Sequence, residues 1–328
     1  MFHVEQVKLL YRPKDHLVSQ HEFNVFWIEE AQYAFTELPN KIDLDHYYQA
    51  QDYSSHKTER KSFLDYVYVF IQRLMLSYKS SFIKKYSNQR VLDVGAGVGV
   101  FATYLKKKGF IISTVEPSEK ARKECLKKGL TCYKTVNYIP NTESFSAITL
   151  WHVLEHLPEL NDVLSQLYSK LKTTGKLVIA VPNLKSYDAI YYKAFWAALD
   201  VPRHLWHFTD SGLIRLLEEN GFLFESQHPL WFDAFYISYM SEVQKGATFP
   251  FLRGIFIGLI SNIKALFNNQ YSQRFMFSGS RVKQIGFKKN NEIIESPSYQ
   301  KPSWHWHFSK FDNDLFQIMI SNLECYYS

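Results

Sequence analysis

Cysteine is scarce in this chain of 328 residues: only Cys125, Cys132 and Cys325 occur, and no two form a C-x-x-C pair. That spacing speaks against a disulfide framework and against a cysteine zinc site, and it suits a reducing compartment. Long hydrophobic runs are also missing. The nearest approach, FLRGIFIGLISNIKALF at 251–267, is interrupted by Arg253, Ser261, Asn262 and Lys264, so a transmembrane span is not expected. A helix packed on the body of the protein is the expectation there, with docking on a membrane surface as the less favoured alternative. The first residues, MFHVEQVKLLYRPKDH, lack the apolar run and small-residue cleavage site of a signal peptide, which makes a cytoplasmic location the expectation. A basic stripe is absent too. The net charge of +6 (38 basic against 32 acidic residues) is spread along the chain, so a nucleic-acid partner is not expected. Internal repeats and low-complexity tracts are lacking.

What is present is apolar and aromatic: 46% hydrophobic and 17% aromatic residues, enough for a substantial core. Residues 1–58 are short aromatic-rich runs broken by polar turns. Residues 59–86 carry apolar positions at helical spacing without proline or glycine, the mark of an amphipathic helix. From 90 to about 230, short β-rich runs (RVLDVG, FIISTVE, TCYKT, FSAITLW, KLVIAVP) alternate with helical stretches near 99–108, 118–128 and 159–172. That rhythm predicts a parallel sheet covered by helices. It is lost after 231.

The first of those strands runs into VLDVGAGVG at 91–99, where glycines stand at 95, 97 and 99 just before a helix. Glycine serves where the backbone turns sharply or a ligand must approach it closely. Position 100 is valine, so the run is GxGxG and not the GxGxxG of a dinucleotide site. The second strand ends at Glu116, where a carboxylate can accept hydrogen bonds from both hydroxyls of a ribose. A strand, Asp93, three glycines, a helix, a strand and Glu116, in that order, is a specific signal.

On these residues, and on WHVLEHL at 151–157, the segment 90–230 resembles the class I S-adenosylmethionine-dependent methyltransferases, the branch of the ubiquinone-biosynthesis O-methyltransferases. The resemblance implies an α/β fold: a Rossmann-like sheet of seven strands, mostly parallel with the last antiparallel, and helices on both faces. It implies S-adenosyl-L-methionine as cofactor, held by Asp93, Gly95, Ala96, Gly97, Glu116 and Pro117, with Asn137 and His152 beside the adenine. A narrower resemblance, to a bacterial subgroup, covers about 15–280 through Tyr47 to His56, His152 to His156, and Trp196 to Phe208. In that subgroup the N-terminus often carries a zinc ribbon, whose cysteine positions match Ile28 and Ala31 here. Residues 1–58 are therefore expected to be a degenerate zinc ribbon, 59–280 the methyltransferase domain, and 281–328 a divergent tail. Which segment supplies the last strand, RFMFSG or VKQIGF, stays open.

Methyl transfer to oxygen needs a proton acceptor, and histidine is the commonest choice. In WHVLEHL, His152, Glu155 and His156 share one face if the segment is helical. Either His152 covers the adenine edge while His156 faces the acceptor, or the three hold a divalent cation, as a related Glu-x-x-Glu-His motif suggests in the ubiquinone branch. No metal is the favoured expectation. DVPRHLWHF at 200–208 is read as a turn at Pro202 followed by a short helix, with His204 and His207 facing the site. Arg203 suits a carboxylate or phosphate on the acceptor, or else pairs with Asp200 or Asp188 and staples the lid. His156, His204 and His207 are thus the candidate catalytic residues, and Arg203, Trp196 and Tyr191 the candidate acceptor contacts. The expected acceptor is a small or lipid-linked molecule.

Overall fold

The computed structural model describes residues 7–40, 42–44, 46–48, 63–83, 89–268 and 274–281. Tyr53 and His56 of the N-terminal motif, and the tail from 282 onward, lie outside the described residues.

The glycine-loop strand, β4 (Arg90–Val94), pairs in parallel with β5 (Ile111–Val115) on one side and β7 (Phe145–Trp151) on the other. β6 (Thr131–Tyr133) extends the sheet beyond β5, and β8 (Leu171–Pro182) extends it beyond β7. The full order is β10-β11-β8-β7-β4-β5-β6, where β10 is Phe222–Pro229 and β11 is Arg274–Arg281. β11 slots antiparallel between β8 and β10, with Met276 opposite Ala180 on one side and His228 on the other. The expected sheet is therefore present, and RFMFSG rather than VKQIGF supplies its antiparallel strand.

Strand alternation explains the two cores. Leu92, Val94, Ile148, Leu150, Leu177 and Ile179 point to one face, where α4 (Leu160–Lys170) and α6 (Asp210–Glu219) bury their apolar stripes. Val91, Ala147 and Val178 point to the other, against α2 (Val100–Lys107) and Cys125 of α3 (Glu119–Lys127). Period 2 in the strands meets period 3.6 in the helices, and each fully buried Leu, Ile or Phe contributes about 1.5–3 kcal/mol. A long helix, α1 (Phe63–Ser81), precedes β4 and packs on the α2 side through Met75 and Leu76. The helices begin where the sequence offers caps: Ser118 accepts from the Ala121 amide and Thr209 from the Gly212 amide.

A second sheet has the order β1-β2-β3-β9, built from β1 (Val7–Tyr11), β2 (Val25–Ile28), β3 (Tyr33–Thr36) and β9 (Trp206–Phe208). Ile28 ends β2 and Ala31 lies in the following turn. The expected helix after Pro202 is replaced by a turn at 201–203 and then β9. Thus the DVPRHLWHF block ends in a short strand that completes the N-terminal sheet, with Ala34 paired to His207. A short helix, α5 (Tyr187–Tyr192), and the antiparallel pair α7 (Asp233–Gln244) and α8 (Pro250–Phe267) form a third layer beside the sheet.

Candidate active site

The carboxyl ends of β4, β5 and β7 converge at the point where the strand order changes direction, the usual ligand crevice of open α/β sheets. Here the glycine loop folds over toward β5, because the Gly95 and Ala96 amides both donate to the Val115 carbonyl, at 2.8 and 3.1 Å. Gly95, Gly97 and Gly99 all have positive φ, at 70°, 51° and 78°. Gly99 needs glycine for packing as well: a Cβ there would stand 2.6 Å from Leu130 and 2.9 Å from Cys125 Sγ. Glu116 is buried and oriented by two backbone amides, Gly97 N to Oε2 and Ser118 N to Oε1, both at 2.8 Å. Pro117 is buried beside it, and Asn137 lies exposed in a 3-10 turn (Val136–Tyr138) after β6.

Asp93 closes the floor. Thr149 Oγ1 donates to its Oδ1 at 2.6 Å. Burial pushes its carboxyl up to about 7, against the opposing pull of Thr149 and the Lys79 ammonium. Lys79 is itself buried and lies over the Trp151 ring, 4.8 Å from its centroid. Two acidic side chains and a backbone cradle suit a ligand with a ribose and a cationic amino-acid end, whose positive charge would favour the ionised form of Asp93.

WHVLEHL is not a helix. β7 runs through Trp151, His152 takes a left-handed backbone with φ 58°, and only Leu154–His156 forms a 3-10 turn. A non-glycine residue at positive φ is uncommon and clusters at functional sites. The turn gives His152 and His156 different partners, with Glu155 close to both. His152 is buried between two carboxylates, its Nδ1 3.5 Å from Glu155 Oε1 and its Nε2 3.9 Å from Asp233 Oδ2. Asp233 begins α7, more than 80 positions downstream, and no local pattern announces it.

His156 and His204 meet edge to face, with ring centroids 4.6 Å apart. His156 Nδ1 lies 3.0 Å from the Arg203 carbonyl, which accepts only, so Nδ1 carries the proton. His204 Nδ1 donates to the Ala198 carbonyl at 2.9 Å by the same logic. Burial holds the His156 imidazole down to about 4 and that of His204 well below its usual value. Together with Glu155 they offer three atoms within 4.8 Å of one another, a set able to hold a divalent cation. The carbonyl contacts leave each Nε2 as the basic nitrogen, that of His204 3.9 Å from Asp200 Oδ2, and such a backbone contact is the usual outer support of a ligating histidine.

The remaining residues of DVPRHLWHF serve the frame. His207 Nε2 donates to Thr36 Oγ1 at 2.8 Å, and Thr36 donates onward to the His204 carbonyl at 2.7 Å. Its imidazole is pushed down to about 3 by burial. Arg203, expected to grip the acceptor, is committed: its guanidinium binds both oxygens of Asp200 and lies 3.7 Å from Asp15. This is the stapling alternative, with Asp200 as partner. Trp196, expected to line the acceptor pocket, is instead a core side chain donating to Asp188 at 2.7 Å. Tyr191 projects from α5 onto the outer surface, beside Lys245. The sequence reading missed Asp233, Lys79 and Tyr48, whose hydroxyl lies 3.1 Å from His156 Nδ1.

Comparison with known proteins agrees with this geometry. Residues 67–227 match the family model described as a methyltransferase domain. Among curated relatives, the ubiquinone biosynthesis O-methyltransferase of Haemophilus ducreyi is 28% identical over 130 residues, covering 35% of this chain and 55% of the relative. Its counterpart in Coxiella burnetii is 26% identical over 165 residues, covering 43% and 69%. The match spans between 55% and 62% of the length of the first three relatives. Solved structures with a similar outline include an S-adenosylmethionine-dependent methyltransferase of Thermotoga maritima (TM-score 0.46, 18% identity, 66% of this chain, 92% of that one). Another is the 1,6-didemethyltoxoflavin-N1-methyltransferase of Burkholderia thailandensis (TM-score 0.43, 16% identity, 77% and 97%).

Proposed function

Because residues 67–227 belong to the S-adenosylmethionine-dependent class I methyltransferases, we propose that the chain transfers a methyl group to a hydroxyl of a small or lipid-linked acceptor. The observation that carries this reading is the pairing of the positive-φ glycine loop with the amide-oriented carboxylate of Glu116 across the β4 and β5 ends. The two curated relatives described above, both named ubiquinone biosynthesis O-methyltransferases, support oxygen as the accepting atom.

Glu116 would hold the ribose, Gly95 to Gly97 the amino-acid tail, and Asp93 the cationic end. When bound, S-adenosylmethionine supplies a methyl group already activated by the positive sulfonium. The protein's own work is to align the acceptor oxygen, which can account for roughly 7–11 kcal/mol of barrier, and to take its proton. We assign that proton to His152. His156, His204 and His207 are held neutral by burial, which pushes each imidazole well below its usual range, and so weak a base is poorly matched to neutral pH. His152 stands between Glu155 and Asp233, whose carboxylates would stabilise the imidazolium as the acceptor O–H proton moves onto it.

Calorimetric titration with S-adenosylhomocysteine tests the reading, with NAD run alongside. Binding of the former alone is expected. Glu116→Ala should weaken it about 100-fold, since hydrogen bonds to a charged group contribute roughly 1.5–3 kcal/mol each. His152→Gln should lower transfer from labelled S-adenosylmethionine to a catechol about 10²–10⁴-fold while leaving that binding intact. A parallel loss of binding would reassign His152 to the cofactor, and binding of NAD alone would refute the methyl-transfer reading.

A further inference from the structure

The seam between α7 and α8 is made of small residues. Gly254, Gly258, Ser261 and Ala265 are buried; the two glycines face α7, and Ser261 donates to Asp188 of α5 at 3.0 Å. A Cβ added at Gly254 would stand 2.5 Å from the Tyr239 Cα, and one at Gly258 2.9 Å from the Phe235 Cα. Backbones this close leave no room for large side chains between the helices. Apart from the buried Ile257, those of α8 therefore project away from the protein: Phe251, Leu252 and Phe256 are 62%, 65% and 62% exposed, and Ile255, Leu259 and Ile263 continue the same face. Phe232 and Tyr236 of the α7 end, and Ile190 and Phe195 near α5, add exposed apolar area in the same layer. Monomeric surfaces rarely carry so continuous an apolar face without using it.

The charges select the partner. Across 184–199 and 231–267 the acidic residues are Asp188, Asp233 and Glu242, and all three are buried. The basic ones are Lys185, Lys193, Lys245, Arg253 and Lys264, none of them buried. Lys245 and Lys264 lie over tyrosine rings, the first 5.3 Å from the Tyr191 centroid and the second 4.9 Å from that of Tyr187. Apolar side chains on one helix face, aromatic rings with an amphipathic tip and positive charge with no exposed acid in the same layer together fit a lipid surface of negative charge. α8 is held along its length by α7, so it lies on such a surface and does not need to span it.

We propose that the α7–α8 layer docks the protein on anionic bilayers, with the outer face of α8 in the interface and the lysines at headgroup level. α7 starts at Asp233, beside His152, so docking would hold the strand-end site against the bilayer. On the methyl-transfer reading, which this last step rests on, that is where a lipid-linked acceptor resides.

Vesicle co-sedimentation of the full chain tests the proposal, with S-adenosylhomocysteine binding measured on the same preparations. Binding to phosphatidylcholine vesicles containing phosphatidylglycerol is expected, weakening as salt rises, and little to pure phosphatidylcholine. Leu252→Glu with Phe256→Glu should weaken vesicle binding at least tenfold with circular dichroism and S-adenosylhomocysteine binding unchanged. Lys245→Gln should weaken it about fivefold. Three results would overturn the proposal. One is no vesicle binding by a preparation that binds S-adenosylhomocysteine. Another is a stable dimer that the double variant dissociates, which gives the face to a second copy. The third is vesicle binding only after residues 282–328 are removed, which gives the face to the chain's own tail. Loss of S-adenosylhomocysteine binding with vesicle binding intact would strike the methyl-transfer reading alone.

Discussion

Acidification from pH 7 to pH 5 should destabilise this protein well before its surface carboxylates titrate. His156, His204 and His207 are buried, with their imidazoles pushed down to about 4, well below normal, and about 3. In the unfolded chain each titrates near 6.5. Over this interval the unfolded state therefore takes up protons that the folded state refuses, and stability falls as pH falls. The stability is fully present above pH 6.5 and drains away below it. Each histidine costs about 2 kcal/mol between pH 7 and pH 5, a figure insensitive to the folded value as long as that lies below 5. Asp93 works the other way. Its carboxyl is raised to about 7, so it is protonated in the folded state while still ionised when unfolded, and it returns about 2 kcal/mol over the same interval. Asp188, whose carboxyl is likewise raised by burial, offsets a further part, so the net is a loss smaller than the sum of the three histidines. Urea unfolding followed by circular dichroism at pH 7, 6 and 5 measures it directly. A free energy of unfolding that stays level or rises toward pH 5 would refute the assignment of three neutral buried histidines.

Two other substitutions probe the frame around the site. Thr36→Val removes the acceptor of the His207 Nε2–H and the donor to the His204 carbonyl. Leaving these buried groups unsatisfied should cost about 2–4 kcal/mol, seen as a lower thermal midpoint with S-adenosylhomocysteine affinity nearly unchanged; a neutral result would mean that this link carries no load. Gly254→Val forces its side chain into the Tyr239 backbone. Overpacking of this kind costs about 1–3 kcal/mol, and hydrogen exchange in α8 should speed up, whereas Leu252→Ala on the outer face should stay within about 0.5 kcal/mol of wild type. Equal effects from the two would contradict the small-residue seam.

Much of the sheet was legible in the sequence because its information is local. The strands from RVLDVG to KLVIAVP are short β-rich runs between helical periods, and VLDVGAGVG with Glu116 declares the loop and its carboxylate within 26 residues. The histidines behaved differently. WHVLEHL satisfies helical spacing, yet β7 runs through Trp151 and the chain turns at His152, so Glu155 lies between His152 on one side and the His156–His204 pair on the other by turn geometry and not by helical spacing. DVPRHLWHF contains no sign that its partner strand is Tyr33–Thr36, some 170 positions earlier. Arg203 offered Asp200 and Asp188 as local partners, and Asp15 came from a loop that no spacing could reveal.

The sequence by itself determined the strand and helix periods, the glycine loop and the two strand-end acids Asp93 and Glu116, because backbone conformation and amphipathic pattern are properties of neighbours in the chain. The tertiary structure alone decided which histidine sits between two carboxylates, which arginine is already neutralised and which helix turns its large residues outward. Those outcomes depend on what lies across a few ångströms of space from segments far apart in sequence. Desolvation and charge pairing, which set the chemistry of each group, act through that distance and not along the chain.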